Sequence, residues 1–255
     1  MDAIGLLLPD GFSPLAALLL VAASFFTSAL TAAFGVGGGV ALLALMGLFL
    51  PVAALIPIHG AVQLGSNSGR AWHQRTSIRW PMLWPFLAGS VVGAAAGAMT
   101  AIELPDAALK IVLGAFVVIV TWAKIPGLDR LSAAGLVVGG AVISALTMVL
   151  GATGPLISAF FGQVIHDDRK ALVATQASGM TILHALKIAA FGALGFAFWR
   201  WLPLVAAMIA TGYAGTVNGT RILHALPEKT FRTGFKWLLT LLALDLIRRG
   251  LAAGF

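Results

Sequence analysis

The sequence contains no cysteine. Disulfides, thiolate nucleophiles and iron–sulfur ligation are thereby excluded. Charge is nearly as scarce. Asp, Glu, Lys and Arg make up 10% of the 255 residues, and none occurs between Asp10 and Arg70. An ordinary soluble domain is about 25% charged, so this composition excludes a soluble enzyme, a disordered chain and a nucleic-acid-binding module. The N-terminus also lacks the basic stretch that precedes a cleaved signal, so the first apolar segment is expected to be retained. No histidine-rich metal motif, GxSxG elbow or facing pair of intramembrane aspartates is present. Nothing therefore suggests an intramembrane enzyme, and no cofactor or metal is expected.

What is present is apolar: 60% of the residues. A spanning helix needs about 20 of them, and the length allows roughly eight to ten helical segments. The expected fold is an all-α polytopic membrane protein. Apolar stretches run at 14–34, 38–50, 53–72, 80–101, 107–123, 131–150, 155–165, 171–194, 202–222 and 233–247. The stretches 38–50 and 155–165 are shorter than the ~17 residues a crossing needs at minimum. Each follows a glycine-rich break, Gly35-Val36-Gly37-Gly38-Gly39 or Gly151-Ala152-Thr153-Gly154-Pro155. Such breaks are tolerated within a membrane only where protein or a watery cavity satisfies the freed backbone.

These short stretches hold corresponding places in an internal repeat. Ser28-Ala29-Leu30-Thr31 recurs as Ser144-Ala145-Leu146-Thr147, Ala54-Leu55 as Ala171-Leu172, Gly93/Gly97 as Gly215/Gly219, and Leu104-Pro105-Asp106 as Leu226-Pro227-Glu228. The offset drifts only from 116 to 122 residues along the series. The chain is expected to comprise repeats at 1–125 and 126–255 within one membrane domain. If each short segment folds back as a hairpin, three crossings follow in each half and the halves are inverted. Basic residues such as Arg70, Arg75, Arg79, Arg169 and Lys170 then gather on one side. The positive-inside rule makes that side cytoplasmic and places both termini outside.

Polar residues form stripes on two apolar segments. His59, Gln63, Asn67 and Arg70 share one helical face, and Gln176, Met180, His184 and Lys187 repeat the spacing. A stripe of this kind must face protein or water, not lipid. Arg70 can grip two oxygens of an anion, and Lys187 adds a compact charge. Gln63, Asn67 and His184 can donate further hydrogen bonds. Helices restarting at Gly38 and Gly154 add backbone N–H groups and a positive dipole end, with Gly37, Gly39 and Thr153 beside them as further substrate contacts. The seven tryptophans include Trp72, Trp80, Trp84, Trp199 and Trp201 near expected span ends, as in an interfacial belt. Asp245, beside Arg248 and Arg249, is expected to form an ion pair at the membrane edge.

The order and duplication of these motifs resemble the sulfite exporter TauE/SafE family. The Gly-x-Gly-Gly-Gly-like break stands complete at 35–39 and degraded at 151–155. His73-Gln74-Arg75-Thr76-Ser77-Ile78-Arg79-Trp80 resembles the family's basic loop, and a glycine helix followed by Leu-Pro and an acidic residue recurs in both halves. The resemblance covers essentially the whole chain. It implies a permease, not an enzyme, for a small sulfur-containing anion: sulfite, a sulfonate, sulfoacetate or thiosulfate. The substrate site is expected at the midplane between the repeats of an inner-membrane carrier. A co-transported proton at His184 and a homodimer are compatible partners. The alternative is an anion-selective pore or a structural membrane protein.

Overall fold

The structure, a computed structural model, describes residues 8–9, 11–34, 37–103, 105–122, 132–162, 164–165, 168–223 and 228–253. Gly35, Val36, Leu104, Leu226 and Pro227, which belong to the sequence motifs above, lie outside the described residues, as does the expected repeat boundary at 125–126. The chain is all-helical. Its helices are α1 (Pro14–Phe34), α2 (Gly38–Met46), α3 (Val52–His73), α4 (Trp80–Glu103), α5 (Asp106–Trp122), α6 (Ala133–Leu150), α7 (Gly154–Gly162), α8 (Arg169–Ala193), α9 (Leu202–Leu223) and α10 (Glu228–Ala253). They coincide with the ten apolar stretches of the sequence.

Among the described residues, α1, α4 and α6 contain windows long and apolar enough to cross a membrane: Pro14–Ala32, Trp80–Ala101 and Ala133–Leu150. Helices α3 and α8 are also long, with 22 and 25 residues. Their polar stripes lower their hydropathy, and those stripes are buried against protein: His59, Gln63, Asn67, Gln176, His184 and Lys187 are all buried. At 1.5 Å per residue, the nine residues of α2 and of α7 reach about 14 Å, half of the ~30 Å hydrocarbon core. The chain is an integral membrane protein of polytopic, all-helical architecture.

Helix α1 packs on α9, α4 on α6, α3 on α8 and α5 on α10. Glycine makes the first two crossings close. A Cβ added at Gly93 would lie 1.9 Å from the Ala141 carbonyl oxygen; one added at Gly215 would lie 2.0 Å from that of Phe25. Gly215 follows Gly93 by 122 residues, and Ala141 follows Phe25 by 116. The two crossings therefore share one register, residue for residue. One hydroxyl changes sides between them. Ser24 on α1 donates to the Met208 carbonyl of α9 at 2.6 Å, whereas Ser90 on α4 reaches the Gly140 carbonyl of α6 at 3.3 Å.

The other two pairings run antiparallel. Gly60 on α3 meets Lys187 on α8, while Arg79, beyond the α3 C-terminus, donates its N–H to Thr175 near the start of α8. Gly250 meets Ile111, Gly114 meets Ile247, and Trp122 donates to Thr240, so α5 and α10 also oppose. Helix α2 folds back along α1. Phe12 before α1 packs edge-on against Trp201 before α9, and Leu48 after α2 accepts from Arg249 near the end of α10.

Trp72, Trp80, Trp84 and Trp199 are exposed, as an interfacial belt requires. Trp201 departs from that expectation. It is buried in the apolar cluster that holds Leu42, Leu50 and Leu204, because it closes the base of α9 against Phe12. Asp245 binds Arg248 at 2.7 Å and Arg249 at 2.8 Å, the ion pair expected from sequence.

Candidate functional site

Both glycine breaks turn the chain at a glycine with positive φ. Gly37 (φ 104°) precedes α2 and Gly151 (φ 78°) ends α6. Left-handed backbone of this kind favours glycine strongly. The breaks meet across the bundle: Leu43 of α2 lies against Gly151, and one pocket touches both.

That pocket has about 380 Å³ of empty space, its mouth included. The first half contributes Thr31, Gly37, Gly39, Val40, His59, Gln63, Asn67 and Arg70. Ala152, Gly154, Pro155, Gln176 and Met180 come from the second. The pocket runs from the breaks toward the last turn of α3 and the early turns of α8. Arg75, Arg79 and Asp168 stand on that same side, where Arg79 and Asp168 approach to 3.7 Å.

Arg70 is the cationic residue of the lining. Its Nη2 donates to Asn67 Oδ1 at 2.7 Å, and Asn67 Nδ2 donates to the Gln63 carbonyl at 2.8 Å. This chain of bonds runs up one face of α3 and orients the guanidinium. Arg70 Nε is buried and has no partner. A buried donor left unsatisfied costs about 1–3 kcal/mol, and an acceptor such as an oxyanion entering the pocket can satisfy it. Gln63 stands against the break, where a Cβ at Gly39 would fall 2.2 Å from its Nε2. His59 Nε2 lies 2.9 Å from the Gly39 carbonyl and donates to it, leaving Nδ1 buried without a partner. The starts of α2 and α7 add unpaired backbone N–H groups.

Six of the ten residues selected from sequence line this pocket: Gly37, Gly39, Gln63, Asn67, Arg70 and Gly154. Four do not. Gly38 is packed under α1, where a Cβ would lie 1.9 Å from the Thr27 carbonyl oxygen. Thr153 is fully buried and hydrogen-bonds the Thr147 hydroxyl. Thr147 itself donates to the Ile143 carbonyl at 2.6 Å, so Thr153 is the donor between the two hydroxyls. His184 is fully buried 6.0 Å from the His59 ring, and both of its nitrogens lack partners. Lys187 is fully buried and donates to the Gly151 carbonyl at 2.6 Å. Val40, Ala152, Pro155, Thr31, His59, Gln176 and Met180 complete the lining beyond the selected residues. The signal was available for the last three, which share the helical faces of Arg70 and Lys187.

A family model described as sulfite exporter TauE/SafE matches residues 20–246. No curated protein matches the chain, and no solved structure does.

Proposed function

The chain belongs to the sulfite exporter TauE/SafE family, a family of membrane transporters, and we propose that it is a secondary carrier of a small sulfur-containing anion. Its substrates in this reading are sulfite, a sulfonate, sulfoacetate or thiosulfate. The observation that carries the proposal is the pocket in which Arg70, Asn67 and Gln63 face the glycine breaks of both halves. Arg70 pairs with the substrate oxyanion, Gln63 and Asn67 orient it, and the N–H groups beginning α2 and α7 complete the cradle. Apolar neighbours Val40, Met180 and Pro155 accept an organic tail.

Inverted repeats belong to the same proposal. They are supported by the antiparallel pairing of α3 with α8 and of α5 with α10, each pair equivalent by sequence offset. A two-fold axis across these helices produces that pairing; an axis along them would leave equivalent helices parallel. The basic loop with Arg75 and Arg79 then faces the cytoplasm, both termini face outward, and the membrane is the cytoplasmic one. Proton coupling enters through the buried imidazoles of His59 and His184, which hold unpartnered nitrogens beside and behind the pocket.

The test is flux into liposomes holding purified protein, with sulfite, thiosulfate, sulfoacetate and taurine offered in turn. Saturable uptake of at least one sulfur anion, with counterflow of labelled substrate, is expected. Uptake without counterflow would identify a pore, and no uptake of any of them would refute the anion reading.

A further inference from the structure

The pocket is one-sided, and the residues missing from it are not a random subset. By the 116–117-residue offset, Thr31, Gly37, Asn67 and Arg70 are equivalent to Thr147, Thr153, His184 and Lys187. The first four line the pocket. The second four line none of it, and each has 0% exposure. Three further equivalent pairs behave differently: Gly39 with Pro155, His59 with Gln176, and Gln63 with Met180 contribute both members to the lining. The shared pairs therefore lie where the halves meet. At the breaks themselves Gly154 lines the pocket and its equivalent Gly38 does not; along the polar stripes and their hydroxyls, the first half is open and the second is closed.

We infer that Lys187, His184, Thr147 and Thr153 form a second, closed anion half-site, which replaces the Arg70 half-site when the protein opens to the opposite face. This rests on the transport reading above and adds to it which residues hold the anion on each side. The direction follows from α3 and α8 being antiparallel. Arg70 lies toward one face of the bundle and Lys187, at the equivalent position, toward the other. The closed set is stocked for an anion. It holds one ammonium, whose hydrogen bond is to the Gly151 carbonyl at the break. It holds an imidazole whose two nitrogens have no partner, and the Ser144 hydroxyl nearby on α6 is also buried without one. Hydrogen-bonding groups idle in one conformation give a ligand that engages them in another the differential affinity needed to shift the population.

Opening requires Lys187 to exchange the Gly151 carbonyl for substrate oxygen. Gly151 has φ 78° and ends α6, so the break itself is the element that yields. Gly60, on the facing helix, gives the lysine stem its room: a Cβ there would lie 2.6 Å from Lys187 Cδ. Two antiparallel copies of one motif thus serve a single anion in alternation. The cationic pole is an arginine on one side and a lysine on the other.

The absence of native cysteine makes the test direct. Asn67→Cys and His184→Cys are placed in vesicles of known orientation and exposed to a membrane-impermeant thiol reagent from each face. Asn67→Cys should label only from the Arg70 face, His184→Cys only from the opposite face. Labelling of His184→Cys from the Arg70 face, or from neither face while Asn67→Cys labels, overturns the inference. A kinetic arm covers misfolding of either cysteine variant. Lys187→Gln should raise the sulfite KM about tenfold from the opposite face and less than twofold from the Arg70 face, with Arg70→Gln giving the mirror result. Equal KM changes from both faces for both variants would mean one site used from both sides, which overturns alternation alone. If Arg70→Gln leaves sulfite transport unchanged from both faces, the Arg70 half-site is misassigned and the inference falls with it, whereas no sulfite uptake by the unsubstituted protein overturns the transport reading itself.

Discussion

Arg70 and Lys187 hold equivalent places in the two halves, and their surroundings differ completely. Arg70 lines a pocket, steadied by Asn67, with its Nε unpaired. Lys187 is sealed from the pocket with its ammonium on a backbone carbonyl. The difference lies outside the stripes, whose spacing is the same. It comes from what each stripe meets: Lys187 meets the Gly151 carbonyl, whereas Arg70 meets Asn67 and the open pocket. Equal spacing along the two stripes thus does not give their cations equal surroundings.

The largest effect should come from removing the open side's charge. Arg70→Gln deletes a charge-assisted interaction of about 1.5–3 kcal/mol, so sulfite kcat/KM should fall roughly 10- to 100-fold. Initial uptake rates in liposomes measure it. A smaller change than Lys187→Gln produces from the same face would reverse the roles assigned to the two cations.

Gly93→Ala and Gly215→Ala probe whether the equivalent crossings are equally tight. Each new methyl would meet a carbonyl oxygen at about 2 Å, and overpacking of this kind costs about 1–3 kcal/mol. Similar drops in melting temperature in detergent are expected for both. A drop for one alone would show that the crossings differ. Gly69→Ala, where a Cβ meets nothing within 4 Å, is the matched control.

Gly39→Ala sharpens the comparison at the breaks. Its Cβ would displace Gln63, and a several-fold rise in sulfite KM with little loss of stability is expected. An unchanged KM would remove Gln63 from the substrate contacts. The smallest effect belongs to the hydroxyls. Ser24→Ala loses an interhelical bond of 2.6 Å, a net contribution of about 1 kcal/mol. Ser90→Ala should cost less, since its interhelical contact is 3.3 Å and its shorter bond of 2.7 Å stays within α4. Chemical denaturation of the two variants orders them.

Much of this was legible in the residues themselves. Runs of apolar residues and the two short stretches give the ten helices, because burial in lipid leaves little freedom in length. The stripes on α3 and α8 are legible because polar groups on a membrane helix must turn inward. The spacing could not reveal that Lys187 takes the Gly151 carbonyl, since that bond depends on the φ of one glycine 36 residues away. Trp201 was misplaced for a similar reason. Its position at a span end suggested an interface, but its partner Phe12 precedes a helix nearly 190 residues earlier.

The exchanged hydroxyl has a consequence for how the two halves recognise each other. Both serines belong to the first half, Ser24 on α1 and Ser90 on α4; both facing glycines, Gly212 and Gly140, belong to the second. Two copies of the first half joined in the same way would set Ser24 against Ser90 in a gap that already lies 2.2 Å from a carbonyl oxygen at the Gly140 Cβ position. Two copies of the second half would set glycine on glycine and leave a hole. Each half is therefore a poor mate for itself and a good one for the other. Fragments 1–125 and 126–255 made together should pair as a one-to-one heteromer, and a stable homodimer of either fragment would contradict this. The two crossings are alike in register, and one oxygen atom at each makes the parts that meet there complementary.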